Sequence, residues 1–304
     1  MVKIYISGCG GALGDALYEE FKDSYALRCT DIITDEPWLS RIDITDEKAY
    51  RKDVEQFSPD ILFHVGACTD LEWCECHPEE TYLVNADSVK SAVEIANSLD
   101  IPILYVSSAA IFGGAKGIFS ETDEANPKSV YAQSKYLGES YVRGKASRYL
   151  ICRAGWMMGG GPTKDKKFVN RIIRQLVKGE RELNIVGDTC GSLTYTRDFA
   201  RTIRALINNQ QWGTYNCACK GTATRPDICR ALLYLLGMND KVTVNIIESK
   251  AIKEDYYAMR PKSECLSTKK LDGLGLNLSR EWECALRDYI EKDFDGLLHS
   301  VNLR

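Results

Sequence analysis

The sequence predicts an α/β fold: a doubly wound parallel sheet carrying a smaller C-terminal α+β lobe. Three observations predict it. Short β-branched runs alternate with helical periodicity through the first half, the first such run ends in clustered glycines, and the rhythm breaks after residue 159. A chain of 304 residues is long enough for one large domain, or for a large and a small one.

The elements follow in order. Residues 3–7 read as a buried strand and 12–21 as a helix, with Leu13, Leu17 and Phe21 on one face. Residues 25–30 make a second strand that ends at Asp31. A helix over 47–56 precedes a third strand over 60–65. Pro78 opens the way to a long helix over about 80–99, where Val89, Val93 and Ala96 repeat at helical spacing until Asp100 and Pro102 stop it. A fourth strand (103–107), a loop with Gly113, Gly114 and Gly117, a helix (129–142) and a fifth strand (148–153) complete the unit. Beyond Gly159-Gly160-Gly161-Pro162 come a helix over 167–178, short strands at 183–186 and 193–195, a helix over 198–207, a strand at 214–218 and a helix over 225–236.

The first strand runs into Gly8-Cys9-Gly10-Gly11-Ala12-Leu13-Gly14, and Asp31 stands 20 residues after Gly11. Glycines alone mark only a turn. Strand, glycines, helix, strand and acid in that order form a dinucleotide-binding pattern. Gly8, Gly10, Gly11 and Gly14, with Ala12 and Leu13, allow a backbone approach to a pyrophosphate at a helix N-terminus, and Asp31 can accept both hydroxyls of the adenosine ribose. The sheet is therefore expected to be Rossmann-type. A carboxylate at Asp31 repels a 2′-phosphate, and no arginine follows directly in Ile32-Ile33-Thr34, so NAD(H) is favoured over NADP(H).

A second constellation is Tyr131-Ala132-Gln133-Ser134-Lys135, preceded by Ser107-Ser108 at a strand end. Tyr and Lys four apart share a helix face. The ammonium is expected to pull the phenol down from its ordinary pKa of about 10, so that Tyr131 can protonate a carbonyl oxygen as hydride reaches its carbon. Ser108 would hold the same oxygen. In isolation this spacing is an ordinary helix fragment with a buried Tyr and a solvated Lys; its place in a dinucleotide-binding pattern points to catalysis.

Composition excludes several classes. Apolar residues make up 44% and charged residues 27%, as in globular proteins. Thirty-nine basic against 43 acidic residues leave a net charge of −4, which offers no footprint for nucleic acid. No apolar run approaches the ~20 residues of a membrane span, and the opening apolar run is too brief for a leader. Twelve scattered cysteines read as reduced thiols of a cytoplasmic protein. Cys74 and Cys76 beside His77, and Cys217 with Cys219, lack zinc-site spacing, and no metal is expected.

On these residues the chain resembles the extended short-chain dehydrogenase/reductase superfamily. Within it, the chain resembles the dTDP-4-dehydrorhamnose reductase family, which reduces a nucleotide-linked 4-keto-6-deoxy sugar. The similarity runs almost end to end. Beyond the glycine turn it covers Asp43-Ile44-Thr45-Asp46, Pro59-Asp60, Val65-Gly66-Ala67-Cys68-Thr69, Val84-Asn85-Ala86, Ser107-Ser108 and the Tyr131–Lys135 pair. It continues through Arg153-Ala154-Gly155-Trp156, Gly191-Ser192-Leu193-Thr194-Tyr195 with Asp198, and Arg260-Pro261 followed by Leu266.

The resemblance implies that Ser108 matches the catalytic Thr or Ser, Tyr131 is the acid, and Lys135 anchors the nicotinamide ribose. Asp43, Ile44, Val65, Gly66 and Ala67 would join the cofactor site, while Thr69, Ser108, Ala109, Trp156 and Arg260 would face the sugar nucleotide. It also implies a cofactor domain over 1–157, joined by 195–220, and a mainly substrate-binding lobe over 158–304. The chain departs from the family at Ala109-Ala110, where Asp-Tyr is common, and at Leu193, where Pro is frequent. It departs again at Ala16, where dimeric members sharing a metal carry an acid. Monomer and homodimer both remain open.

Two alternatives stand beside a reductase. Ser107-Ser108-Ala109-Ala110-Ile111-Phe112-Gly113 resembles the strand end of epimerases that use bound NAD transiently; a 4,6-dehydratase would need an acid pair where the alanines stand. A non-catalytic regulatory subunit, such as that of methionine adenosyltransferase, resembles these reductases as well. The intact Ser108, Tyr131 and Lys135 favour an enzyme.

Overall fold

A computed structural model describes residues 1–114, 117–251 and 258–300. β1 (Lys3–Ser7) is buried from Ile4 onward and turns at Gly8 into α1 (Ala12–Phe21), whose Leu17 and Phe21 are wholly buried. β2 (Ala26–Asp31), β3 (Leu39–Arg41), α2 (Glu47–Phe57) and β4 (Ile61–His64) follow. Asp46 starts α2 by accepting the Ala49 N–H at 3.0 Å, and Tyr50 and Val54 bury its inner side. β3 is not marked in the sequence, because three residues are too few for alternation to show.

After α3 (Leu71–Cys76), in place of one helix over 80–99, the chain forms α4 (Pro78–Tyr82), a π-helical turn at Leu83–Asp87 and α5 (Ser88–Ser98). Apolar periodicity cannot reveal a π turn flanked by α-helix on both sides. The wide turn accompanies a fully buried Asn85. Its side chain accepts the Cys68 N–H (2.9 Å) and donates to the Cys68 carbonyl (3.0 Å) and to Ser134 Oγ (3.1 Å). The strand end after β4 is thereby tied to the next layer of helices.

β5 (Ile103–Ser108), α6 (Val130–Lys145) and β6 (Tyr149–Ala154) complete the first half. The second half begins with β7 (Trp156–Met158), α7 (Gly161–Lys164) and α8 (Phe168–Val177), then β8 (Glu182–Val186), β9 (Cys190–Gly191) and β10 (Leu193–Tyr195). After α9 (Thr196–Asn208) the chain returns to the large sheet as β11 (Gly213–Asn216), paired in parallel with β6.

The seven-stranded sheet is parallel throughout, in the order β11-β6-β5-β4-β1-β2-β3. It is a Rossmann-type doubly wound sheet. α1 and α9 cover one face, with Phe21, Phe199 and Ile203 over Ile4, Ile6 and Phe63. α2, α5 and α6 cover the other, with Val54, Val93 and Val142 over Tyr5, Leu62 and Tyr105. Strand order reverses between β1 and β4, and in such sheets the crevice at the carboxyl ends of those strands is where ligands bind.

The remaining elements build a second core beside the sheet. β7 pairs with β10, β8 with β13 (Thr243–Ile247), and β9 lies between β12 (Ala223–Thr224) and β14 (Ser263–Glu264). Ile172 and Ile173 of α8 meet Leu232 of α10 (Arg225–Leu235) and Leu286 of the helix Trp282–Asp293 in one apolar cluster. No helix among the described residues is long and apolar enough to cross a membrane.

Candidate active site

Two turns meet at the strand reversal. Gly8 takes φ +76°, and its N–H and that of Cys9 both donate to the Thr30 carbonyl at 2.8 and 3.0 Å. A Cβ on Gly8 would lie 2.1 Å from the Gly66 Cα, so any side chain here collides with backbone. Val65 and Gly66 donate to the Ser7 carbonyl, each at 3.1 Å, which locks the end of β4 against the glycine turn. Gly11 begins α1 with no side-chain cap, and a Cβ there would meet nothing within 4 Å. No side chain caps the first turn of α1, so the N–H groups at Ala12, Leu13 and Gly14 are left for a pyrophosphate.

Asp31, at the end of β2, accepts the Gly10 N–H (2.8 Å) and the Ile33 N–H (3.0 Å). Ile44 packs its Cδ1 against Gly66, and Asp43 shapes the approach by accepting both the N–H and hydroxyl of Thr45. Ala67 follows at the same strand end, half-buried. These residues surround one crevice, and its uncapped helix start, glycine backbone and carboxylate fit a dinucleotide.

The catalytic candidates stand at the neighbouring strand end. α6 is fixed at its start by Ser129, whose Oγ accepts the Ala132 N–H (3.2 Å), and by Glu75, which accepts the Val130 N–H (2.7 Å). Tyr131 therefore sits in a held first turn, with Lys135 and Glu139 below it at four-residue steps. Close packing sets the height of the helix: a Cβ on Gly138 would lie 2.6 Å from the Tyr105 hydroxyl and 2.7 Å from the Asn85 carbonyl. The Ser108 hydroxyl accepts the Ala110 N–H (3.1 Å) and lies near enough to Tyr131 to favour its ionised form.

The expected lowering of the phenol does not occur. Part of Tyr131 remains in solvent, yet its hydroxyl sits among protein atoms, and that desolvation pushes its pKa up to about 12 against the opposing hydrogen bond from Ser108. The Lys135 ammonium points elsewhere, over the Tyr105 ring at 4.2 Å. Burial brings Lys135 down to about 7, with the Glu139 carboxylate acting in the opposite direction. Tyr131 is thus a protonated phenol at neutral pH, and Lys135 is near its midpoint.

The Lys135 shift has a consequence for stability. Its folded pKa, about 7, lies below the ordinary lysine value of about 10.4. The burial penalty on the charged form is therefore fully present below pH 7 and relieved as pH rises toward the unfolded value. Lys135→Met should stabilise the fold most at pH 6. Its advantage over wild type should shrink by about 1.4 kcal/mol per pH unit above about pH 7, read from denaturant unfolding at several pH values. A difference independent of pH would contradict a lowered Lys135.

The residues expected to face substrate behave unequally. Trp156 donates its indole N–H to Glu264 at 2.5 Å, and the Arg225 guanidinium lies 3.9 Å over its ring. Arg260 ion-pairs with Glu72 of α3 and donates to the Ala258 carbonyl, fastening the C-terminal segment beside the catalytic helix layer. Thr69 receives the Lys167 ammonium on its carbonyl (2.9 Å) and hydroxyl (3.1 Å). Ala109 stands apart: it is 1% exposed and packs with Ile111, Phe112 and Phe119, so the alanines leave an apolar core rather than an open space.

Three residues here were not marked by the sequence. Glu264, Arg225 and Lys167 lie on short strands, a helix start and a loop, where no local pattern signals them. Desolvation raises the Glu264 carboxyl, opposed by the Trp156 indole and by the charges of Arg225 and Arg260, and its field in turn raises Tyr131. Beneath the site, Glu139 and Arg153 form a buried ion pair (2.6 and 3.0 Å). His64 lies between Ser7, Tyr50 and Ser88, and burial drops it to about 3, so it remains neutral.

Comparison with known proteins agrees with this fold. The profile of the family described as RmlD substrate binding domain matches residues 2–294. The chain is 26% identical over 295 residues to the spore coat polysaccharide biosynthesis protein SpsK of Bacillus subtilis, covering 96% of this chain and 98% of that one. The crystal structure of dTDP-4-dehydrorhamnose reductase from Yersinia enterocolitica superposes with a TM-score of 0.86 at 32% identity, over 96% of this chain and 99% of that one. That of the Bacillus anthracis dTDP-4-dehydrorhamnose reductase in complex with NADP gives 0.87 at 25% identity, over 96% and 100%. With its fold and nearly its whole length matched, the chain belongs to the RmlD substrate binding domain family and is a dTDP-4-dehydrorhamnose reductase-like, NAD(P)-dependent oxidoreductase.

Proposed function

We propose that this protein reduces the keto group of a nucleotide-linked 4-keto-6-deoxy sugar with NADH or NADPH. One observation carries the reading: Ser108 at the end of β5 acts on the phenol of Tyr131 in the first turn of α6, with Lys135 buried one helical turn below. When bound, the dinucleotide supplies hydride for the carbonyl carbon. The glycine turn holds its pyrophosphate on the start of α1, Asp31 accepts from the adenosine ribose, and Asp43, Ile44, Val65, Gly66 and Ala67 border its course. Lys135 anchors the nicotinamide ribose. Tyr131 gives its proton to the carbonyl oxygen as charge develops there, and Ser108 donates to the same oxygen.

Residues 1–157 and 195–220 carry the dinucleotide in this reading, and 158–304 supply most of the sugar-nucleotide face. Trp156 and Arg260 belong to that face with Thr69. Arg225 and Lys167 bring positive charge suited to a diphosphate, and Glu264 offers an acceptor for a sugar hydroxyl. Ala109 contributes by packing behind the Ser108 turn. The free thiols fit a cytoplasmic setting.

The test is nicotinamide oxidation by the purified chain against dTDP- and UDP-linked 4-keto-6-deoxy sugars, with NADH and NADPH in parallel. At least one sugar should oxidise one cofactor per product. Product without net oxidation would replace reduction with epimerisation, and inertness toward the whole panel would contradict the substrate class.

A further inference from the structure

We infer that Arg41 is a receptor for the 2′-phosphate of NADP(H), so that this chain takes the phosphorylated cofactor despite Asp31. The inference rests on the dinucleotide site proposed above and not on the identity of the sugar. In the chain the two residues are ten positions apart, and no cation immediately follows Asp31. In the sheet they are neighbours: β2 and β3 pair in parallel with Asp31 in register with Arg41. Residues paired in register on adjacent strands project from the same face, about 4.8 Å apart along the hydrogen-bonding direction. The Ile42 N–H donates to the Asp31 carbonyl (3.1 Å) and fixes that register at the strand ends.

Both partners are poised for this role. Asp31 is not a bare carboxylate, because the Gly10 and Ile33 N–H groups each bond one of its oxygens. These bonds offset part of its repulsion of a second anion and leave lone pairs for a ribose hydroxyl. Arg41 is exposed, and among the described residues no hydrogen bond or ion pair engages its guanidinium. Nearby acids are engaged elsewhere: Glu36 with Lys164 at 3.0 Å, and Asp43 with Thr45. β3 is the edge strand, so nothing in the sheet covers Arg41 from the outer side. An arginine in register with the ribose carboxylate on the next strand can turn its planar guanidinium toward a phosphate monoester on that ribose.

Equilibrium titration of the full chain, followed by nicotinamide fluorescence, tests the assignment without turnover. 2′,5′-ADP and 5′-AMP serve as competitors. Wild type should bind NADPH at least as tightly as NADH, and 2′,5′-ADP should displace it better than 5′-AMP. Arg41→Ala should weaken NADPH and 2′,5′-ADP about ten- to a hundredfold while leaving NADH within about twofold, and Arg41→Lys should recover part of the loss. The NADPH preference should fall with added salt. Unchanged NADPH affinity in Arg41→Ala, or equal losses for NADPH and NADH, would overturn the role of Arg41 while leaving the dinucleotide site in place. Failure of wild type to bind either nucleotide would overturn the site itself.

Discussion

Tyr131→Phe is expected to lower the turnover of a 4-keto sugar nucleotide by roughly 10²–10⁴-fold, the usual contribution of a positioned acid. The substitution keeps the ring and removes only the hydroxyl on which Ser108 acts. Dinucleotide affinity should stay within about twofold, because the crevice is built from Gly8, Gly11, Asp31 and Gly66, none of which depends on that hydroxyl. Steady-state kinetics beside a binding titration separates the two effects. Equal loss of binding and turnover would make Tyr131 a structural residue, and unchanged turnover would remove it from the chemistry. With its pKa raised to about 12, Tyr131 carries a proton throughout the neutral range. Any decline in activity just above pH 7 should therefore follow Lys135, whose value is about 7, and not the phenol.

Glu139→Gln is expected to cost about 3–5 kcal/mol of unfolding free energy, the range for breaking a buried pair on one side. Glu139 is wholly buried and Arg153 is 1% exposed, and their two hydrogen bonds at 2.6 and 3.0 Å join α6 to β6. In the variant the amide oxygen can keep one of these bonds, but among the described residues the Arg153 charge is left with no anion, only that amide, the Glu121 carbonyl (3.2 Å) and the Phe112 ring (5.1 Å). Denaturant unfolding monitored by circular dichroism measures the loss. A cost under about 1 kcal/mol would show that Arg153 finds other compensation. Because the Glu139 charge raises Lys135, the same variant should also move the Lys135 midpoint to lower pH.

The parts of the site readable in the sequence are those defined by local order. Gly8 to Gly14, Asp31 and the Tyr131–Lys135 spacing lie within single strand–turn–helix or helical units, where periodicity and backbone demands operate over a few residues. Contacts across long separations were not legible. Arg260 meets Glu72 across 188 residues, and Trp156 meets Glu264 across 108. Arg41 joins Asp31 only through a three-residue edge strand that has too little pattern to read. The direction of the Tyr131 shift was hidden for a related reason: four-residue spacing brings an ammonium near a phenol, but the packed site supplies the burial and aims the Lys135 ammonium at Tyr105. Likewise, two alanines read as missing polar groups, whereas Ile111, Phe112 and Phe119 fill the volume around Ala109.

The most direct test of the central claim follows the hydrogen itself. The purified chain is supplied with a dTDP-linked 4-keto-6-deoxy sugar and NADPH deuterated at both positions of the nicotinamide C4, and the product is read by mass spectrometry. Reduction through Tyr131 predicts one deuterium on the sugar carbon that was the ketone, with one NADPH oxidised per product. Product without deuterium, or formed with no net NADPH oxidation, would contradict it.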